Sequence, residues 1–367
     1  GLEPSSITGP LRKLFKGKKN FYFRLAEVES IDTNNKKVLT SLGALDYDMV
    51  VVANGAKTNY FGHEENYHGA YPLKQVSQAL SLRNSTLRCF EDALIVTDPE
   101  EQQALLSFVV VGGGPTGVEV SGAFSELKLN VLPKDYPELD FSKMKVYLIE
   151  GSPRLLNGMS DKSHDHAMKA LQQMDVEVRL NTRVNSYKNQ ELELSDGSKF
   201  KANTLVWAAG VTGNLISGLE SYGHPATNRM LVDEHNLVKG SDGIYALGDI
   251  SLMISDEHPR GHPQLAPVAL QQAELLARNL KAKSQSKPLK AFHYRDKGSM
   301  ATIGRNRAVV DLPKNVHFKG IFAWFVWMFI HLMSIIGFRN KAVILFNWVW
   351  NYVTYDRSIR LILRARS

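Results

Sequence analysis

The sequence predicts an α/β fold, and three observations carry that prediction. Continuous apolar runs at 50–53, 108–111, 204–208 and 244–247 each lead into a glycine turn or a Gly-Asp pair, as strands buried on both faces do. Helical spacing of apolar residues fills 75–107, 161–174 and 267–281 between those runs. The run at 108–111 passes directly into Gly112-Gly113-Gly114-Pro115-Thr116-Gly117, a strand, a tight turn and the start of a helix.

Taken in order, residues 1–20 are polar and basic, interrupted by Pro4, Gly9, Pro10 and Gly17. Residues 20–31 alternate through Phe21, Phe23, Leu25, Val28 and Ile31 as one strand would. Asn34-Asn35 marks a turn, and 37–40 returns as a second strand. Residues 47–55 form a buried strand that stops at Ala53-Asn54-Gly55. The 75–107 stretch is helical with Pro99 as its break. After the glycine motif comes a loop around Pro133 and Pro137, then a strand at 145–149 with Glu150 at its end. A helix at 161–174 precedes a meander over 176–200, turned at Asp196-Gly197, and a strand that ends at Ala209-Gly210. A strand closes on Gly248-Asp249, a helix covers 267–281 with proline in its first turn, and short strands fill 291–310 with a turn at Gly304.

At 367 residues the chain is long enough for two domains. Its 44% hydrophobic and 22% charged content, with mean hydropathy −0.21, excludes a disordered chain and a polytopic membrane protein. The net charge is +7, and +6 of it falls in residues 318–367, together with four of the five tryptophans. A nearly neutral body therefore carries a basic, aromatic tail suited to an acidic partner. The lone Cys89 excludes an intrachain disulfide, a Cys-x-x-Cys redox pair and a multi-cysteine metal site, and no metal is expected.

Gly112-x-Gly114-x-x-Gly117 is a dinucleotide-binding fingerprint in the right setting. The first glycine permits the turn, the second lets backbone approach a pyrophosphate, and the third lets helix and strand touch. The helix N-terminus, with Pro115 and Thr116, offers amide donors to phosphate. Glu150 would accept hydrogen bonds from the adenosine ribose and repel a 2′-phosphate, which favours NADH over NADPH. Residues 128–144, rich in proline and acid, account for the long spacing from Gly117 to Glu150. Glu119, just inside the helix, suits the macrodipole and could also relay protons near a redox centre.

These segments, in this order, resemble the flavoprotein reductases with two dinucleotide domains, in which an NAD domain is inserted into an FAD domain. The resemblance narrows to the type II NADH dehydrogenases, non-pumping NADH:quinone oxidoreductases, through 1–15, 54–62, 71–82 and 263–280, and covers essentially the whole chain. It implies two Rossmann-like domains, an FAD-binding one at 1–62 and 211–310 and an NADH-binding one at 63–210, with membrane-anchoring helices at 311–367. It implies NADH binding by Gly112, Gly114, Pro115, Thr116, Gly117, Glu150, Ala209 and Gly210. It implies FAD binding by Ala53, Gly55, Gly248, Asp249, Leu265 and Ala266. The family's carboxylate two residues past the fingerprint maps onto Glu119. Its Gln-Gln beside the flavin and the quinone tunnel maps onto Gln271 and Gln272, and Pro267 replaces an earlier family glutamine. The family opens with a further Gly-x-Gly-x-x-Gly for the FAD pyrophosphate; no such motif precedes Gly112, so the chain is expected to start inside the family pattern.

Residues 321–338 hold eighteen residues with only His331 and Ser334 polar. A spanning helix, a buried or dimer helix and a helix lying in the membrane interface all fit that length. Arg357, Arg360 and Arg364 beside apolar and tryptophan-rich stretches favour the interfacial reading, as does the resemblance. The expected protein is a homodimeric, monotopic enzyme on the cytoplasmic face of a bacterial inner membrane. It oxidises NADH through FAD and reduces a quinone at an anionic lipid surface, with no nucleic-acid partner. The alternatives are a soluble NADH-dependent reductase of a ferredoxin-like protein and a non-catalytic flavoprotein scaffold that binds lipid or nucleic acid.

Overall fold

The computed structural model describes residues 9–335 and 337–354. The chain divides into two compact units. The first holds the described residues of Gly1–Gly17, Tyr60–Gly210 and Gly298–Ser367; the second holds Lys18–Asn59 and Val211–Lys297. The residues from 298 to 310, grouped by sequence with 211–297, thus pack with the fingerprint unit.

The first unit is built on a parallel five-stranded sheet in the order Tyr71–Pro72, Thr204–Trp207, Ser107–Val111, Lys145–Ile149, Val176–Arg179. The central strand is buried along its whole length. Because strand side chains alternate, Phe108 and Val110 enter one core while Val109 and Val111 enter another. The first core is closed by helices: Val76–Ile95 contributes Phe90 and Ala93, Pro115–Glu126 contributes Val118 and Phe124, and Asp161–Gln173 contributes Ala167 and Leu171. The second is closed by an antiparallel meander, Val184–Lys188, Glu191–Leu194 and Lys199–Lys201, through Tyr187, Leu192 and Leu194. Each large aliphatic or phenylalanine side chain fully buried here contributes roughly 1.5–3 kcal/mol. The stretch read as a loop around Pro133 begins instead as a π-helical segment at Leu127–Val131 and a short helix, Leu132–Asp135, that extend the fingerprint helix.

A second sheet in this unit runs antiparallel through Ser299–Gly304, Arg307–Leu312 and Val316–Lys319. Two helices follow it, Gly320–Ser334 and Phe338–Thr354, separated at Gly337, whose φ of +87° suits glycine. The apolar run 321–338 is therefore not one helix, and no helix among the described residues is long and apolar enough to cross a membrane. Only Ala323, Leu332 and Ile344 are buried in the pair, whereas Phe329, Phe346 and Val353 are more than 60% exposed. Arg357, Arg360 and Arg364 lie outside the described residues.

The second unit carries a meander of Val28–Asp32, Lys37–Thr40 and Gly43–Asp46. Asp32 accepts from the amides of Asn34 and Asn35 at 3.1 and 3.0 Å and fixes the expected turn. The strand begins only at Val28; Phe21 and Leu25, which suggested an earlier start, are exposed and pair with no strand among the described residues. Val50–Val52 pairs in parallel with Ile244–Ala246, and Ala56–Thr58 pairs antiparallel with Val211–Gly213. Helix Ala266–Lys283 buries Val268 and Leu276; Val268 joins the core of Val52, Ile244 and Ala246.

Candidate functional site

The three fingerprint glycines meet three different constraints. Gly112 turns out of the strand at φ +108°, and a Cβ there would lie 2.5 Å from the Ala208 carbonyl oxygen. At Gly117 a Cβ would lie 1.7 Å from the Gly112 carbonyl oxygen, so helix and strand touch backbone to backbone. At Gly114, the helix N-cap, a Cβ would meet nothing within 4 Å. No side chain caps this helix, Pro115 fills its first position, and Pro115 and Thr116 are exposed. A helix start left uncapped in this way keeps its amides and dipole available to an anion.

Glu150 borders the same loop. One carboxylate oxygen accepts from the Gly113 amide and the other from the Ser152 amide at 2.7 Å. Its orientation is thus set by the turn it serves. Ala209 and Gly210 follow the neighbouring strand, and the Cβ position of Gly210 lies 3.5 Å from the Phe61 ring. Trp207, at the end of that strand, packs on Tyr67 with ring centroids 4.2 Å apart.

Glu119 points toward the second sheet of its unit and accepts from the Thr302 amide at 3.2 Å. Burial pushes its carboxyl above the usual carboxylate range, and hydrogen bonds from Thr302 only partly oppose that shift. Two helical turns on, Glu126 accepts from the Arg305 amide at 3.1 Å. Between them a Cβ on Gly122 would lie 1.6 Å from the Ile303 carbonyl oxygen. The sequence reading singled out Glu119 and missed Gly122 and Glu126; their three-to-four-residue spacing on one face was the available signal.

In the second unit, Gly248 adopts φ +72° and starts the tight turn Gly248–Ile250 that presents Asp249. Its Cβ position is 3.1 Å from the Ala269 methyl, so the turn rests on the first turn of helix Ala266–Lys283. Gln272, fully buried, accepts from the Gly248 amide at 2.7 Å and lies 3.3 Å from the Ser251 hydroxyl. The sequence reading assigned Gln272 no holding role. Arg229 was also missed: its buried guanidinium donates to the carbonyls of Ser251 and His262. Burial lowers its pKa, and the charge of Asp249 raises it again.

Leu265 is the N-cap of the Ala266–Lys283 helix, and Leu265 and Ala266 are both exposed, with no side chain capping the end. The Gln264 side chain donates to the Asp249 carbonyl at 3.0 Å and ties this helix start to the Asp249 turn. The Gln271 side chain donates to the Arg295 carbonyl at 3.1 Å and accepts from the Arg295 amide at 3.0 Å. Gly55 turns at φ +73° into open space, and Ala53 and Asn54 precede it, with the Asn54 side chain donating to the Asn214 carbonyl.

Comparison with known proteins decides the family. The pyridine nucleotide-disulphide oxidoreductase profile matches residues 3–273, and the NDH2 C-terminal domain profile matches 297–355. The chain is 35% identical over 364 residues to the type II NADH:quinone oxidoreductase NdhA of Mycobacterium tuberculosis, covering 95% of this chain and 76% of that protein. The chain belongs to the type II NADH:quinone oxidoreductases. The type II NADH:quinone oxidoreductase Ndh of the same organism is 30% identical, over 97% of this chain and 79% of its own length. Among solved structures, NDH2 of Plasmodium falciparum in complex with NADH superposes with a TM-score of 0.83 at 21% identity, over 96% of this chain and 88% of that one. As a type II NADH:quinone oxidoreductase, the protein is a flavoenzyme that uses FAD and NADH and reduces a quinone. The ferredoxin-reductase and non-catalytic alternatives give way to this assignment.

Proposed function

We propose that the residues described above hold the two cofactors and serve the NADH-to-quinone reaction as follows. The amides at the open helix start of Gly114–Thr116 bind the NADH pyrophosphate, and Glu150 takes the adenosine ribose. The open space at Gly114 carries this reading, because a dinucleotide requires close backbone approach there and none of the described residues comes within 4 Å of the Cβ position. Ala209 and Gly210 leave room for the nicotinamide half. The Asp249 turn and the uncapped helix start at Leu265-Ala266 form one cradle for the ribityl chain and ring of FAD, with Gln272 and Gln264 fixing its shape. Bound FAD accepts a hydride from NADH and passes two electrons to quinone. Gln271 acts as a positioning residue that holds the Arg295 segment beside this helix, and Glu119, whose carboxyl burial shifts above the usual carboxylate range, is the proton-relay group of the first unit.

We further place the enzyme at a membrane surface. The exposed Phe325, Phe329 and Phe346 form apolar faces that would enter the headgroup boundary, on the cytoplasmic side of a bacterial inner membrane. Two copies associate through the same unit as a homodimer, which light scattering in detergent would test.

The deciding experiment is steady-state kinetics with a soluble quinone analogue. Glu150→Ala should raise KM for NADH and narrow the preference over NADPH while leaving flavin content unchanged. Unaltered kinetics with both nucleotides would refute the ribose assignment. For the membrane, Phe325→Glu with Phe329→Glu should abolish vesicle binding; full binding by that variant would refute the tail reading.

A further inference from the structure

Away from the cofactor residues, a cavity of about 620 Å³ opens in the first unit between helix Asp161–Gln173 and the strand Val316–Lys319. Lys162, His166 and Lys169 are spaced i, i+4, i+7 on one helix face, and His317 and Lys319 alternate along the strand, so all five line the same space. Lys162, Lys169 and Lys319 make no ion pair among the described residues, and Asp165 is a carboxylate on the wall. The His166 Nε2 is buried with no hydrogen-bond partner, and burial, followed by Lys319, Arg307 and Lys169, lowers the pKa of that ring. The frame is rigid. Asp311 accepts from the Ser160 amide at 2.6 Å and from the Ser163 hydroxyl at 2.7 Å, and pairs with His317 at 2.8 Å, which locks strand to helix.

We propose that this cavity binds a phosphate group, held by the ammonium groups of Lys162, Lys169 and Lys319 with His166 completing the set. Tetrahedral oxygens offer several acceptors at once, which matches three lysines lining one space beside an orphan ring nitrogen. The phosphate could come from a lipid headgroup or from solution. The observations favour the lipid, because Phe318 lines the cavity and Lys319 leads directly into Gly320–Ser334, with Ile321 and Phe322 exposed. That form rests on the membrane reading above.

The test uses the full-length holoenzyme and the Lys162→Gln/Lys169→Gln variant, whose changed side chains are exposed. Wild type should float with vesicles containing phosphatidylglycerol more strongly than with vesicles of matched surface charge made with oleate. Near a surface each lysine is worth about fivefold in partitioning, so the variant should lose roughly 25-fold on phosphatidylglycerol and no longer discriminate. Histidine ring NMR, with His166→Gln to assign the signal, should show His166 moving on addition of inorganic phosphate in wild type and not in the variant. A variant that keeps the wild-type preference for phosphatidylglycerol over oleate overturns the lipid form. If the His166 phosphate response persists in wild type alone, the ligand is soluble phosphate. A His166 signal unmoved by phosphate and by phosphatidylglycerol overturns the site altogether. Wild type that binds no vesicle refutes the membrane reading, and the phosphate titration then decides the site by itself.

Discussion

Replacing Gly122 with alanine should destabilise the enzyme through one identifiable clash. The new methyl would lie 1.6 Å from the Ile303 carbonyl oxygen and 2.6 Å from its carbon. Ordinary contact needs about 3.5 Å, so helix Pro115–Glu126 and strand Ser299–Gly304 must part by roughly 2 Å. That displacement breaks the hydrogen bonds from the Thr302 amide to Glu119 and from the Arg305 amide to Glu126, now 3.2 and 3.1 Å long. Hydrogen bonds to charged groups are worth about 1.5–3 kcal/mol each, which puts the expected loss at roughly 3–6 kcal/mol. Urea denaturation followed by tryptophan fluorescence measures it as a lowered midpoint. Gly114→Ala is the matched control: its methyl enters open space, so the midpoint should hold while NADH affinity falls. A Gly122→Ala protein with the wild-type midpoint would refute the reasoning, as would Gly114→Ala with unchanged NADH affinity.

Three further outcomes follow from individual groups. The Glu119 carboxyl has a raised pKa in the fold, so its stabilising form is fully present below 4.5 and is lost as pH rises through the raised value. Glu119→Gln keeps an acceptor for Thr302 and removes the charge; it should raise Tm at about pH 8 and have little effect near pH 4, and equal shifts at both would contradict this. Burial, His258 and Arg229 lower the His262 pKa to about 4, so the unfolded chain takes up a proton there that the fold excludes. Stability should therefore fall as pH drops from 6.5 toward 4, less steeply in His262→Phe, and parallel pH profiles of Tm would sink that account. Gln272→Ala strands the Gly248 amide, a cost of about 1–3 kcal/mol, and should lower flavin content in the purified protein; full flavin occupancy would show that the Asp249 turn holds without it.

What the sequence made legible is what is encoded locally. The strand, turn and helix from Ser107 to Glu126 occupy one short window, and the close contacts at Gly112 and Gly117 fall within that window or just past an adjoining strand. The unbroken apolar run from Phe108 to Val111 likewise showed a strand buried on both faces. The roles of Gln272 and Arg229 depend on partners more than twenty residues away, so no spacing rule exposed them. Gln271 and Gln272 are adjacent and chemically identical, yet helical rotation points one at Arg295 and the other at Gly248. Phe21 and Leu25 alternate as strand residues do, but alternation without a partner strand makes no strand. The apolar run from 321 read as one segment because hydropathy does not register the left-handed turn at Gly337.

The docking of the fingerprint helix on strand Ser299–Gly304 also determines how the enzyme can be shortened. The region matched by the C-terminal profile begins at 297, which invites a deletion at that point to obtain a water-soluble form. Such a cut would uncover Ile303's partner notch at Gly122 and leave Glu119 and Glu126 without their amide donors, on the very helix whose first turn is proposed to bind the dinucleotide. A deletion that removes only Gly320–Ser334 and Phe338–Thr354 spares all three contacts. The useful boundary for a detergent-free enzyme thus lies after Lys319, where the sheet ends and the greasy helices begin.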